Sequence, residues 1–235
     1  MLFSRKKTLS ESGVLRGMVD RHSHLLPSVD DGFRSQERTL EALAKMEKEG
    51  VAELWLTPHI MEDVPNTTSD LKRRFAELCG IYGGSIKLHL AAENMLDNLF
   101  LERFDANDLL TQDNNMLLVE TSYFNPPLEF EELIGDILGK GYRVLLAHPE
   151  RYKYMDDKDY DQLKERGVLF QLNLGSLVGI YSKQTQEKAE KLLKKEYYNF
   201  MGTDLHAVAQ YDKILSTPVR VSVINRLRSI PNQID

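Results

Sequence analysis

The chain has 235 residues, 42% hydrophobic and 28% charged, with a formal net charge of −6. That composition is globular, and the acidic balance weighs against nucleic acid or an anionic membrane as the main partner. One cysteine, Cys79, excludes an intrachain disulfide, and no apolar run approaches the roughly 18 residues of a membrane helix.

The opening MLFSRKKTLSESG has a basic run with no apolar stretch after it, so it does not read as a signal peptide. It predicts a flexible polar tail over residues 1–13, or an arm for docking or oligomer tethering. With one thiol and no leader, the expected location is the reducing cytoplasm. Residues 14–235 read as a single catalytic barrel domain. GMVDRHSH (17–24) predicts a first strand. SQERTLEALAKMEKEG (35–50) predicts a helix with Leu40, Leu43 and Met46 on one face and Gly50 as its stop. Strands follow at AELWLTPH (52–59), IKLHLAAE (86–93) and NMLLVETS (115–122), with only a short helix expected within 95–114. Cys79 lacks the arginine six positions on that a cysteine-phosphatase loop needs, and reads as helix packing. Then helices at 129–141, 158–167 and 183–196 alternate with strands at YRVLLAHPE (142–150), VLFQLNLGS (168–176) and YNFMGTDLH (198–206). Residues 213–229 read as one last helix. Alternation of this kind predicts βαβ units around a parallel sheet, and seven strands suit a barrel better than an open sheet.

Polar residues gather at the strand ends. Asp20, His22 and His24 form D-x-H-x-H, and alternate residues of a strand share a face. His59 ends the second strand, Glu93 the third, Glu120 the fourth, His148 the fifth, and Asp204 with His206 the seventh. In parallel α/β folds these ends meet on one face, where sites are built. Any one of them has a bland reading as a turn cap or a solvated acid; six strand ends together point to a site. Asp30 and Asp31 before Gly32 could simply turn the chain; Asp31 is read as a ligand and Asp30 as turn or support. His89 lies inside a strand and reads as a satisfied sheet histidine. Nitrogen and carboxylate donors without thiolate suit manganese, iron, zinc or cobalt, and their number suits two or three ions. Such ions lower the pKa of bound water and clamp the attacking and leaving oxygens of a displacement, which makes phosphate esters natural substrates. Arg151 could grip a phosphate with its planar fork, or pair with Glu150. Tyr123 and Phe124, before Asn125-Pro126-Pro127, either stack on an aromatic substrate or pack the loop.

The motifs DRHSHLLPSVDDG (20–32), TPH (57–59), AAENMLD (91–97), VETS (119–122), LAHPERY (146–152) and GTDLH (202–206) run in one order that resembles the PHP (polymerase and histidinol phosphatase) superfamily. More narrowly the chain resembles the manganese-dependent protein-tyrosine phosphatases of bacterial capsule and exopolysaccharide operons, the CpsB/YwqE type. The resemblance implies a distorted (β/α)7 TIM-like barrel with a trinuclear site. Its ligands would be His22, His24, Asp31, His59, Glu93, Glu120, His148, Asp204 and His206. Arg151 would bind phosphate, and Asp204 or His206 would protonate the leaving phenolate. The implied substrate is the phosphotyrosine-rich tail of a bacterial tyrosine autokinase; a homo-oligomer is compatible with the family. Arg21 stands where an apolar residue is commoner. A second arginine is expected soon after the last D-x-H, but DLHAVAQYDK offers only Lys213. The rivals are a PHP-type phosphatase of a small ester such as histidinol phosphate, a non-catalytic metal-bound binding module, and an amidohydrolase. That last class commonly has a bridging lysine at the end of its fourth strand, where Glu120 stands here.

Overall fold

The computed structural model describes residues 5–113 and 115–231. Residues 1–4 of the expected tail lie outside these; the rest of it is built into the fold, which corrects that reading. Strand β1 (Lys6–Lys7) pairs antiparallel with a strand near the C-terminus. Helix α1 (Leu9–Ser12) opens on a capping box in which Thr8 and Glu11 bond each other's backbone N–H groups. Leu9 is fully buried and anchors the segment; one buried leucine and a cap outweigh the polar composition around them.

Strand β2 (Val19–Asp20) leads to α2 (Gln36–Glu49), which Ser35 caps and Gly50 ends in a left-handed turn. Leu43 and Met46 are buried and Leu40 partly so, on the face expected. The second strand is broken: β3 (Glu53–Leu56) and β4 (His59–Ile60) flank Thr57-Pro58. Helix α3 (Thr68–Ile81), which the sequence reading did not assign, buries Leu71 and Leu78 beneath a Thr67 cap. Cys79 lies on it but is exposed, so it does not serve packing. The third strand is likewise split, into β5 (Lys87–Leu90) and β6 (Glu93–Met95), before the short α4 (Asn98–Asp105). Next come β7 (Met116–Glu120), α5 (Phe130–Gly139), β8 (Arg143–Ala147), a 3-10 turn (Pro149–Arg151) and α6 (Asp157–Glu165). They are followed by β9 (Leu169–Asn173), α7 (Leu174–Leu177), α8 (Lys183–Lys194) and β10 (Tyr198–Gly202). The expected single last helix is two, α9 (Val208–Ser216) and α10 (Val221–Leu227), separated by β11 (Val219–Arg220). Pro218 stands at the break, where it cannot continue a helix.

Parallel pairing runs β2–β3–β5 and β4–β6–β7–β8–β9–β10. Bonds from Ala91 N–H to Leu56 O (3.0 Å) and Glu93 N–H to Pro58 O (3.1 Å) carry the ladder across both breaks. The ring closes between β10 and β2 through Arg21 N–H to Met201 O (3.1 Å), Asp204 N–H to His22 O (2.8 Å) and His24 N–H to Leu205 O (3.1 Å). This is a seven-strand parallel barrel. Alternation along β7 and β8 separates two cores. Leu117, Val119, Val144 and Leu146 face the helices. Met116, Leu118, Leu145 and Ala147 join Phe200 inside the ring. Glu120 continues the row of Met116 and Leu118, so the side that buries apolar residues lower in the barrel presents a carboxylate at its rim.

Arg21 is buried within the barrel. Its guanidinium lies 4.8 Å from the Phe200 ring centre and 5.7 Å from that of Trp55, and pairs with Asp113.

Candidate active site

The rim at the carboxyl ends of the strands gathers the nine expected donors. His22, His24, Glu93 and Asp204 form one group; His59, Glu93 and Glu120 a second; His24, Asp31, His59 and His206 a third. His148 Nε2 stands 3.0 Å from Glu93 Oε1 and 3.8 Å from Glu120 Oε2. Glu93 is the hub, with Oε2 at 3.1 Å from His22, 3.2 Å from His24 and 3.1 Å from His59.

These spacings fit divalent ions. Donors held about 2.1 Å from one ion stand roughly 3.0–3.4 Å apart in tetrahedral or octahedral shells. His22 Nε2 and His24 Nε2 are 3.0 Å apart, and Asp204 Oδ1 lies 3.4 and 3.3 Å from them. Each imidazole is oriented from behind. His22 Nδ1–H donates to Gln171 Oε1 at 2.9 Å, and His24 Nδ1–H to Asp30 Oδ2 at 2.8 Å. With Nδ1 engaged on both rings, the two Nε2 atoms point at one another, a place for a cation. Glu93 Oε2 and His59 Nδ1 are buried without a hydrogen bond, the state of atoms waiting for a ligand bond.

The electrostatics agree. Burial pushes His22 down, but Glu93 and Asp204 overcome it and hold the imidazole up at about 9. Burial would raise Glu93, yet His22 and His59 hold it well below the carboxylate range. Burial opposes ionisation of Asp204 too, and His22, His24, His148 and Arg151 overcome that. Asp204 Oδ2 accepts from Arg151 Nη1 (2.7 Å), Asn173 Nδ2 (2.7 Å) and Tyr181 O–H (3.2 Å), leaving Oδ1 to face the histidines. A carboxylate so held suits a ligand and opposes the expected role of Asp204 as proton donor. Asp31, 70% exposed at its side chain, is held at about 2 by a hydrogen bond from His206.

The chain geometry that aims these groups is partly strained. His148 (φ 34°) and Asp204 (φ 48°) take left-handed backbone where their strands end, at a cost of about 1–3 kcal/mol each that surrounding structure must hold. Gly202 is required beside them: a Cβ there would lie 2.6 Å from His22 Cβ. Asp20, expected on the face of the two histidines, is a brace and not a donor. It accepts from Thr203 N–H (2.9 Å) and Thr203 O–H (2.7 Å), pinning the last strand to the first, and burial pushes it up to about 6. Asp30 likewise supports, accepting from His24, His59 N–H (3.1 Å) and Gly32 N–H (2.9 Å).

Above the donors opens a cavity of about 480 Å³, lined in part by Tyr123, Arg151, Tyr181 and Gln210. Arg151 lies between two rings, its Cζ 4.4 Å from the centre of Tyr123 and 4.2 Å from that of Tyr181. It does not pair with Glu150, whose buried carboxylate accepts from Asn173 N–H (3.0 Å) and Tyr198 O–H (3.0 Å). Gln210 takes the lining place on α9; Lys213 is exposed and is not among the described lining residues.

The family model for capsular polysaccharide synthesis, CpsB/CapC, matches residues 18–220. The chain belongs to the CpsB/CapC family. Its relatives include the tyrosine-protein phosphatase YwqE of Bacillus subtilis, 26% identical over 205 residues that cover 81% of this chain and 78% of that one. They also include the tyrosine-protein phosphatase CpsB of Streptococcus pneumoniae, 25% identical over 209 residues, 80% and 83% of the two chains. A structure from the crystallography of YwqE and CpsB, described as unique metal-dependent tyrosine phosphatases, superposes with a TM-score of 0.77 at 24% identity over 85% of each chain. A histidinol phosphate phosphatase of Lactococcus lactis, with zinc, L-histidinol and phosphate, shares the fold at a TM-score of 0.53 and 15% identity, over 92% of this chain and 93% of that one. In this CpsB/CapC chain the residues that sequence reasoning missed are Gln171, Asn173 and Tyr181. The signal for Gln171 and Asn173 was a polar pair at alternate positions of an otherwise apolar strand, VLFQLNLGS; Tyr181 gave none. No helix among the described residues is long and apolar enough to cross a membrane.

Proposed function

We propose that this chain is a metal-dependent phosphomonoesterase that hydrolyses phosphotyrosine in proteins. The observation that carries the reading is the cavity in which nitrogen and carboxylate donors, spaced for ions, share one wall with Arg151 and Tyr123. The tyrosine-phosphatase names of its relatives point the same way. Divalent ions bound to His22, His24, Asp31, His59, Glu93, Glu120, His148, Asp204 and His206 would supply an acidified water and neutralise phosphate charge. Manganese, as two or three ions, is the proposed metal; iron, zinc and cobalt accept the same donors.

Arg151 takes a phosphate oxygen through its fork, sharing its guanidinium between the phosphate and Asp204. Asn173 and Tyr181 keep Asp204 oriented while it does so. Tyr123 offers its ring to the substrate ring. Phenolate is a good leaving group and departs without a strong acid. The proposed physiological substrate is the phosphotyrosine-rich tail of a bacterial tyrosine autokinase, met in the cytoplasm.

Phosphate release from a phosphotyrosine peptide, with manganese added, tests this. Arg151→Ala is expected to lose about 10²–10³ in kcat/KM while metal content stays at the wild-type level. Equal rates for the two proteins would sink the assignment of Arg151. Faster turnover of histidinol phosphate would move the reading to a small ester, and tight peptide binding without release would make the protein a binding module.

A further inference from the structure

The loop between β7 and α5 carries two large apolar side chains in open solvent, Phe124 at 62% and Leu128 at 94% exposure. Beside it, between α5 and α6, lies a cavity of about 390 Å³ walled by Pro127, Phe130, Tyr154, Met155 and Leu163. An apolar surface left open with a polar rim marks a contact site. The rim is acidic: Glu129, Glu131, Glu132 and Asp159 line it. Arg166 is the single cation among its described lining residues, and it faces Glu131 at 3.8 Å.

This groove adjoins the catalytic cavity through one loop, which lines the cavity at Tyr123 and the groove at Pro126 and Pro127. Thr121 directly follows the donor Glu120, and its hydroxyl bonds Tyr154 O–H at 2.6 Å. A row of packed rings forms the wall between the two spaces: His148 to Tyr123 at 5.9 Å, Tyr123 to Tyr152 at 6.2 Å, Tyr152 to Tyr154 at 5.8 Å, with Tyr152 fully buried. Lys153 N–H donates to Tyr123 O at 2.8 Å, tying the exposed loop to the cavity wall.

We propose that this groove receives the polypeptide flanking the phosphotyrosine, taking an apolar side chain against Phe130 and Tyr154 and lysine or arginine against Glu129 and Glu132. The proposal rests on the phosphatase reading of the adjoining site. A second copy of the chain suits the groove less well, because a two-fold contact would bring the acidic rims together. A small phosphate ester would leave the groove unused.

The test is Leu128→Ser combined with Glu132→Lys, both exposed and outside the catalytic cavity. For a phosphotyrosine peptide with an apolar and basic flank, the variant is expected to raise KM about tenfold. Its kcat, and its turnover of p-nitrophenyl phosphate, stay at wild-type values. An unchanged KM overturns the proposal, and so does an equal loss on p-nitrophenyl phosphate. If neither protein hydrolyses any aryl phosphate, the phosphatase reading has failed. Fluorescence-anisotropy binding of the same peptide to wild type and variant then decides the groove by itself: weaker binding to the variant supports it, equal binding ends it. A dimer lost in the variant would assign the groove to a second copy and also overturn the proposal.

Discussion

Two of the histidine–glutamate pairs in this barrel, His89 with Glu53 and His148 with Glu93, behave differently. His89 Nε2 meets Glu53 at 2.7 Å, its ring stacked on Trp55 at 4.5 Å and its side chain 21% exposed. Glu53 has one further neighbour, Lys87 at 3.4 Å. His148 meets Glu93 at 3.0 Å, and both are almost wholly buried. Around Glu93, however, three more imidazoles crowd within 3.2 Å, and one carboxylate oxygen is left without a hydrogen bond. The first pair is complete as it stands. The second belongs to a collection that satisfies itself poorly without a cation. Residue type does not separate the two, and neither does pair distance; convergence does.

The sharpest way to break the contrast is to remove the hub. Glu93→Ala is expected to strip bound metal and to cost more activity than the roughly 100-fold typical of losing an outer partner. Elemental analysis and phosphate release measure it together. Retained metal with retained activity would mean that the crowding around Glu93 has no function.

Proton linkage gives the next largest effect. The His22 imidazole rises from an ordinary 6.5 to about 9 in the ion-free protein. Its contribution to stability is therefore complete below about 6.5 and is lost as pH rises through about 9. A divalent ion competes for the same nitrogen, so its binding strengthens over that window. The gain in Tm on adding manganese should grow between these two pH values, and a gain independent of pH would argue that His22 is no ligand.

The donors other than Asp31 were legible because each stands at the end of a strand as a histidine or acid in a motif; Asp31 lies in the turn that follows the first strand. The seven-strand order was legible from alternating periodicity. What stayed hidden was uncharged or local. Gln171 sits mid-strand yet accepts from His22 Nδ1–H and from His148 N–H at 3.2 Å. Asn173 and Tyr181 reach the donors through Asp204, and Tyr181 also packs on Arg151. The breaks at Thr57-Pro58 and Ala91-Ala92 leave periodicity intact, so they read as continuous strands. Helix α3 was lost among its charges, although Leu71, Phe75 and Leu78 recur at helical spacing. Gln171→Leu measures the hidden layer: metal affinity is expected to fall about 10–100-fold by calorimetric titration, with the fold kept. Gln171→Glu, which keeps an acceptor, should recover part of it. Full affinity in Gln171→Leu would show that the backbone alone aims His22.

His89→Ala gives the smallest expected change and completes the contrast. It removes one stacked ring and one half-exposed hydrogen bond, worth together about 1–2 kcal/mol of stability. Because Glu53 can then turn to water and to Lys87, no charge is stranded in the interior. Metal content and phosphate release should match wild type, with only Tm lowered. If the variant lost metal as Glu93→Ala does, pairing and convergence could not be told apart in this barrel, and the case for reading its rim as an ion site would lose its internal control.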